Sequence, residues 1–185
     1  MVPVIRDGSV PGAGVVKMKR IAVIITDMFQ DVEYQEPVDA FRRAGHEIVH
    51  VGLTAGSVVN GEHGTAVQIE RAVHGALAKD FDALFIPGGY SPDRLRTDPD
   101  AVRFTQEFFA QQKPVFAICH AAQLLITAQV LRGRRVTGWM SLVQDIKNAG
   151  AEYVDAEVVV DQNLVSSRKP ADIPAFIRES LSKLR

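Results

Sequence analysis

The sequence predicts a doubly wound α/β fold, a mostly parallel sheet with helices on both faces. Short apolar, β-branched runs such as "RIAVIIT", "FDALFIPGG" and "KPVFAIC" read as strands buried on both faces. A strand covered on one face only would alternate apolar with polar residues. Stretches with apolar residues at helical spacing lie between these runs. Strand and helix keep alternating, and no internal repeat or composition break divides residues 18–185, which points to a single domain.

The first segment, "MVPVIRDGSVPGAGVVK", has neither period and reads as a flexible arm over residues 1–17. "RIAVIIT" is the first strand and ends at Asp27. "EYQEPVDAFRRAG" places Val38, Phe41 and Ala44 at helical spacing, with Gly45 as its stop, and "HEIVHVGL" is the second strand. Residues 56–70 read as short extended pieces around turns, followed by a weak helix near "VHGALAKD". "FDALFIPGG" is a strand ending in Gly88-Gly89, "DPDAVRFTQEFFAQQ" a helix, "KPVFAIC" a strand and "HAAQLLITAQVL" a helix. "RGRRVTG" supplies a short strand, "MSLVQDIKNAGAEYVD" a helix ended near Gly150, "AEVVVDQNLVSS" two strands across a turn, and "ADIPAFIRESLSKL" the closing helix.

Of 185 residues, 46% are hydrophobic and 23% charged, enough apolar material for a core. A net charge of -1 with mixed signs leaves no basic patch, so neither nucleic acid nor an anionic membrane is an expected partner. One cysteine forms no internal disulfide, and no N-terminal apolar stretch has the length of a signal peptide or membrane span, so a reducing cytoplasm is the expected compartment. His46, His50, His63, His74 and His120 show no zinc-type spacing with that cysteine, and neither metal nor cofactor is expected.

Cys119 lies where "VFAI" gives way to "HAAQLL", at the carboxyl end of a strand, where open α/β sheets gather their ligands. A lone cysteine is often a small buried hydrophobe. Here a sharp strand-to-helix turn, Ala117-Ile118-Cys119-His120-Ala121, has the small flanking residues of a nucleophile elbow. The helix start and His120 favour the thiolate, so the sequence favours a reactive Cys119. No histidine follows His120, which argues against the glutamine amidotransferase arrangement with its distant downstream base. Either His120 serves as the base or the thiolate forms without one.

"AICHAAQLLITAQVLRGRRVT", "NAGAEYVDAEVVVDQNLVSSRKPAD", "DALFIPGGYSPDRLR" and "DVEYQEPVDAFRRAGHEI" together resemble the PfpI family of intracellular proteases and general stress proteins, of the class I glutamine amidotransferase-like superfamily. The resemblance runs from Lys19 to Leu184 and implies a flavodoxin-like sandwich. It implies that Cys119 is the reactive thiol, His120 its neighbour, and Glu33 a protonated carboxyl that hydrogen-bonds the thiolate. It aligns Asp93 with a carboxylate that orients the histidine of a neighbouring subunit, one methylene shorter than the Glu of the archaeal proteases. Ala121 stands where many relatives have Gly. Gly88, Gly89 and the N–H of His120 are the candidate oxyanion donors. Arg168 in "RKPAD" reads as part of a turn.

The resemblance implies a stress-protective cysteine enzyme acting on reactive carbonyls or glycated proteins, a deglycase or glyoxalase. The alternatives are an intracellular cysteine peptidase acting on peptides, and a redox sensor or chaperone with an oxidisable cysteine. A homo-oligomer is expected under the same resemblance.

Overall fold

The computed structural model describes residues 17–185, so the expected arm lies outside the described residues apart from Lys17. In chain order the elements are β1 (Arg20–Ile24), α1 (Asp31–Arg43), β2 (Glu47–Gly52), β3 (Val58–Asn60), β4 (Ala66–Gln68), β5 (Arg71–Ala72), β6 (Ala83–Ile86), α2 (Ser91–Leu95), α3 (Pro99–Ala110), β7 (Val115–Ile118), α4 (Ala122–Thr127), β8 (Arg135–Val136), α5 (Val143–Asn148), β9 (Glu152–Tyr153), β10 (Val158–Asp161), β11 (Leu164–Ser167) and α6 (Ile173–Lys183). Seven strands form one sheet in the order β10-β11-β7-β6-β1-β2-β5. All its pairs are parallel except the β10–β11 hairpin, giving the predicted mostly parallel, doubly wound sheet.

Strand β1 shows why these segments read as unbroken apolar runs. Ile21 and Val23 pack with Phe41 of α1 and Phe176 of α6 on one face. Ala22 and Ile24 pack with Phe104 and Phe108 of α3 and Leu124 and Leu125 of α4 on the other. A strand with helices on both sides displays no polar face. On the first side Phe41 meets Phe85 edge-on, with centroids 5.8 Å apart, and Phe116 at 5.6 Å.

Three segments differ from expectation. The weak helix near "VHGALAKD" is a single 3₁₀ turn at Ala78–Asp80, preceded by an extended Leu77. Lys113 Nζ donates to the carbonyls of Ala78 and Phe81, so these acceptors are satisfied without a continuing helix. The strand from "RGRRVTG", β8, pairs with β9 in its own two-stranded ribbon rather than joining the main sheet. The helix from "HAAQLLITAQVL" opens with a 3₁₀ turn and α4 ends at Thr127, with Gln129 at a positive φ of 59°. Residues 56–70 contain the antiparallel β3–β4 pair, in keeping with the short extended pieces expected there.

The chain leaves β1 for β2 on one side and returns to β6 on the other. This reversal opens a crevice at the carboxyl ends of β1 and β6, beside that of β7. Three loops meet there, residues 25–30, 87–90 and the turn at Cys119. Backbone bonds join them: Tyr90 N–H donates to Met28 O at 2.8 Å and Gln30 N–H to Gly88 O at 3.2 Å. Replacing Phe41, fully buried between sheet and α6, by Ala should lower the unfolding free energy by about 3–5 kcal/mol. Urea unfolding with an unchanged denaturant slope checks this, and a loss under about 1 kcal/mol would contradict the packing described.

Candidate active site

Strand β7 ends at Ile118 in extended backbone (φ -125°, ψ 143°), and Cys119 then takes a φ of 61°. For a residue with a side chain that conformation costs about 1–3 kcal/mol, so the surrounding packing must hold it. Ala117 and Ala121, 3% and 0% exposed, leave room for the turn, as the sequence suggested. From above, Trp139 N–H donates to the Cys119 carbonyl at 3.1 Å. The cysteine is 7% exposed. It is therefore buried and also at the elbow; the two readings of a lone cysteine coincide here.

Glu33, on the first turn of α1, is 0% exposed and faces the thiol. Neither carboxyl oxygen has a well-formed hydrogen bond. The Cys119 side chain and the Gly88 backbone N–H lie near enough to favour its ionised form, but their geometry falls short of full bonds. Burial dominates and, with the charge of Glu62 adding to it, pushes the carboxyl up from 4.5 to about 7. A Cβ at Gly88 would overlap Glu33 Oε2 and lie 2.7 Å from Cys119 Cβ, so only glycine fits between the two acids.

The thiol itself is pushed up, chiefly by burial and then by the charge of Glu33; the backbone N–H groups of His120 and Gly89 act the other way. The helix start, expected with His120 to favour the thiolate, contributes in that direction through the His120 N–H, and burial and Glu33 outweigh it. The 3₁₀ turn presents its N–H groups to the sulfur, but at a buried position beside another acid. Of the three expected oxyanion donors, His120 and Gly89 face the sulfur and Gly88 faces the carboxyl of Glu33.

His120 Nδ1 lies 3.3 Å from Cys119 Sγ, and the imidazole sits 6.1 Å from the Trp139 ring. Burial holds the imidazole below its ordinary value, partly opposed by the charge of Asp93. Asp93 itself makes no hydrogen bond to His120 within the chain. Its carboxylate accepts from Gln123 Nε2 at 3.4 Å and lies 3.8 Å from Arg96, with a side chain 60% exposed. The structure thus gathers Cys119, His120, Glu33 and the Gly88-Gly89 turn, and leaves Asp93 at the rim. Arg168 is a structural tie, bonded to Asp172 at 2.8 Å and Asp155 at 2.7 Å.

A cavity of about 280 Å³ opens over the sulfur, walled by Tyr90, Trp139, Pro170 and Glu62 beside the expected residues. None of these four was legible as a site residue. They come from separate loops, and only Glu62 carries a charge to notice. Among the described residues no group of three or more His, Cys, Asp and Glu is placed to hold a metal ion, and no helix is long and apolar enough to cross a membrane.

Residues 19–183 match the DJ-1/PfpI family. General stress protein 18 of Bacillus subtilis (strain 168) is 53% identical over 168 residues, covering 90% of this chain and 98% of that protein. Protein/nucleic acid deglycase 2 of Escherichia coli (strain K12) is 52% identical over 168 residues, with the same coverage. The crystal structure of a two-domain protein with DJ-1/ThiJ/PfpI-like and ferritin-like domains, from Anabaena variabilis ATCC 29413, superposes with a TM-score of 0.88 at 40% identity. That match covers 90% of this chain and 48% of that one. Schizosaccharomyces pombe DJ-1, at 23% identity, shares the fold with a TM-score of 0.81 over 90% of this chain and 92% of that one. The chain belongs to the DJ-1/PfpI family.

Proposed function

We propose that this protein is a stress-protective cysteine enzyme acting on reactive carbonyl compounds or their adducts on proteins. The observation that carries the reading is the pairing of two buried acids, Cys119 on a strained elbow and Glu33 facing it, with backbone N–H groups directed at the sulfur. Burial opposes charge on both acids, so near neutral pH the pair keeps one proton and carries one negative charge. Burial and Glu33 push the thiol up, and the Gly88 N–H favours charge on the carboxyl; on this reading the charge sits on sulfur, with the proton on Glu33, because two backbone N–H groups, those of His120 and Gly89, serve the sulfur.

The thiolate adds to the aldehyde carbon of a 2-oxoaldehyde, and the carbonyl electron pair moves to oxygen, where a proton neutralises it. The product is a hemithioacetal. His120, at hydrogen-bond reach of the sulfur, takes the proton from the sulfur-bearing carbon and returns it to the adjacent carbon, while the hydroxyl proton passes from the first oxygen to the second through the enediol, giving a thioester. Water hydrolyses the thioester to a 2-hydroxy acid and restores the thiol. The sum is addition of one water, with no external oxidant. The depressed basicity of the imidazole keeps it neutral and able to accept that proton. The name of the E. coli relative, a deglycase, and that of the B. subtilis relative, a stress protein, support this substrate class.

Peptide hydrolysis is the second reading, and the position of Asp93 is what favours it. Its carboxylate is exposed and unbonded to its own His120, free to meet the imidazole of another subunit. A homo-oligomer is part of that reading, and a cytoplasmic site of action suits both. An oxidation sensor is the third, since a thiolate at this elbow is also the first site of oxidation.

Purified protein should convert methylglyoxal to lactate, and Cys119→Ser should lower the rate by at least about a thousandfold. Peptide cleavage dependent on Cys119 without methylglyoxal turnover would replace this reading by the peptidase. Peroxide modification of Cys119 with neither activity would replace it by the sensor.

Glu33 also governs stability. Its value rises from 4.5 to about 7 on folding. A carboxyl that holds its proton more tightly when folded loses stability as pH climbs from the unfolded value to the folded one. Between pH 4.5 and about 7 the unfolded Glu33 releases a proton that the folded Cys119–Glu33 pair still holds, so Glu33→Gln should gain on the wild type over that range and then keep a lead of about 3 kcal/mol. Urea unfolding across this range checks it; parallel pH profiles would contradict it.

A further inference from the structure

The cavity over Cys119 is lined by two carboxyl groups, Glu33 and Glu62, and by no lysine or arginine. The mechanism uses Glu33 and leaves Glu62 without a task. Among the described residues no side-chain cation pairs with Glu62. Glu33, fully buried on the same cavity, has both oxygens without a well-formed bond.

The loop that carries Glu62 is built rather than loose. Asp31 accepts from the backbone N–H of Thr65 at 2.9 Å and from that of His63 at 2.9 Å, which anchors the loop just after Glu62. Glu62 N–H donates to Phe29 O at 2.9 Å, and Gly61 N–H to Thr65 O at 2.9 Å. A Cβ at Gly61 would press within 2.7 Å of the Asp31 carboxyl carbon, so the loop sits tightly on α1. Its charge is felt inside the cavity, since it is the Coulombic influence that adds to burial at Glu33.

We propose that Glu62 is the specificity-determining residue of this site, a fixed negative charge that admits neutral and cationic compounds to Cys119 and turns away those bearing a carboxylate. The other walls are Trp139, Tyr90, Pro170, Gln30 and His120, the charging of whose imidazole is disfavoured by burial, so no lysine or arginine offsets it. On the functional reading above, methylglyoxal and adducts on basic side chains pass, and 2-oxo acids such as glyoxylate are rejected. The inference rests on that reading for its substrates but not for its test.

The lone cysteine makes the test direct. Sγ displaces iodide from iodoacetamide or from iodoacetate, forming an S–C bond as the C–I bond breaks. Both reagents read the same thiolate, so the ratio of their rate constants removes any effect of its titration. Intact mass gives both rates at low ionic strength, with neutral N-acetylcysteinamide as the reference thiol.

A like charge in a partly solvated cleft should lower the iodoacetate-to-iodoacetamide ratio of the wild type about threefold to tenfold below the reference. Glu62→Gln should bring it back to the reference, Glu62→Lys should carry it above, and added salt should shrink the differences. A wild-type ratio equal to the reference, or one unmoved by both variants, would overturn the filter. Absence of methylglyoxal turnover would defeat the functional reading and leave these ratios standing.

Discussion

A methyl group at Gly88 would occupy the space in which Glu33 and Cys119 meet, and the rest of the site depends on that space being left open. Two buried acids brought into contact cannot both ionise near neutral pH. On the proposed reading, that restriction makes Glu33, a carboxyl raised by burial, the proton donor beside the sulfur. The same closeness brings the N–H of Gly89 to the thiol and that of Gly88 to the carboxyl, so one turn serves both partners.

The sheet supplies the precision. Loops at the ends of β1, β6 and β7 meet because the chain reverses direction between β2 and β6, and backbone bonds from Tyr90 to Met28 and Gln30 to Gly88 tie them together. Helix α1 begins where the first loop ends. Its cap, Gln30, accepts from Val32 N–H and thereby fixes the turn that carries Glu33. The elbow's strained Cys119 is braced below by the core around Ala121 and above by the Gly138-Trp139 segment. The hydrophobic core thus sustains a backbone conformation that Cys119 would not adopt alone.

The sequence revealed what depends on periodicity and on short motifs. Buried parallel strands read as apolar runs, and the turn around Cys119 was visible from its small flanking residues. Glu33 needed the family resemblance, because an acid on the first turn of a helix ordinarily sits in solvent at the positive end of the dipole. Two kinds of feature escaped. Strands of two residues, β8 and β9, are too short to show a period. The cavity walls are set by tertiary contacts: Glu62 reaches the sulfur's pocket because Asp31, thirty-one positions away, holds its loop. Asp93 shows the reverse limit, since a motif places it in sequence, yet within one chain it stays at the rim.

The central claim is that the single negative charge of the Cys119–Glu33 pair resides on sulfur. Ultraviolet absorbance of the thiolate, followed against pH with Cys119→Ser as the blank, tests it most directly, because one cysteine leaves one source of signal. The account predicts that the first proton the pair loses comes from sulfur, so that thiolate absorbance appears below the roughly 8.5 of a free thiol despite the burial that opposes it. Absorbance that emerges only well above the free-thiol range would place the charge on Glu33 and contradict the account.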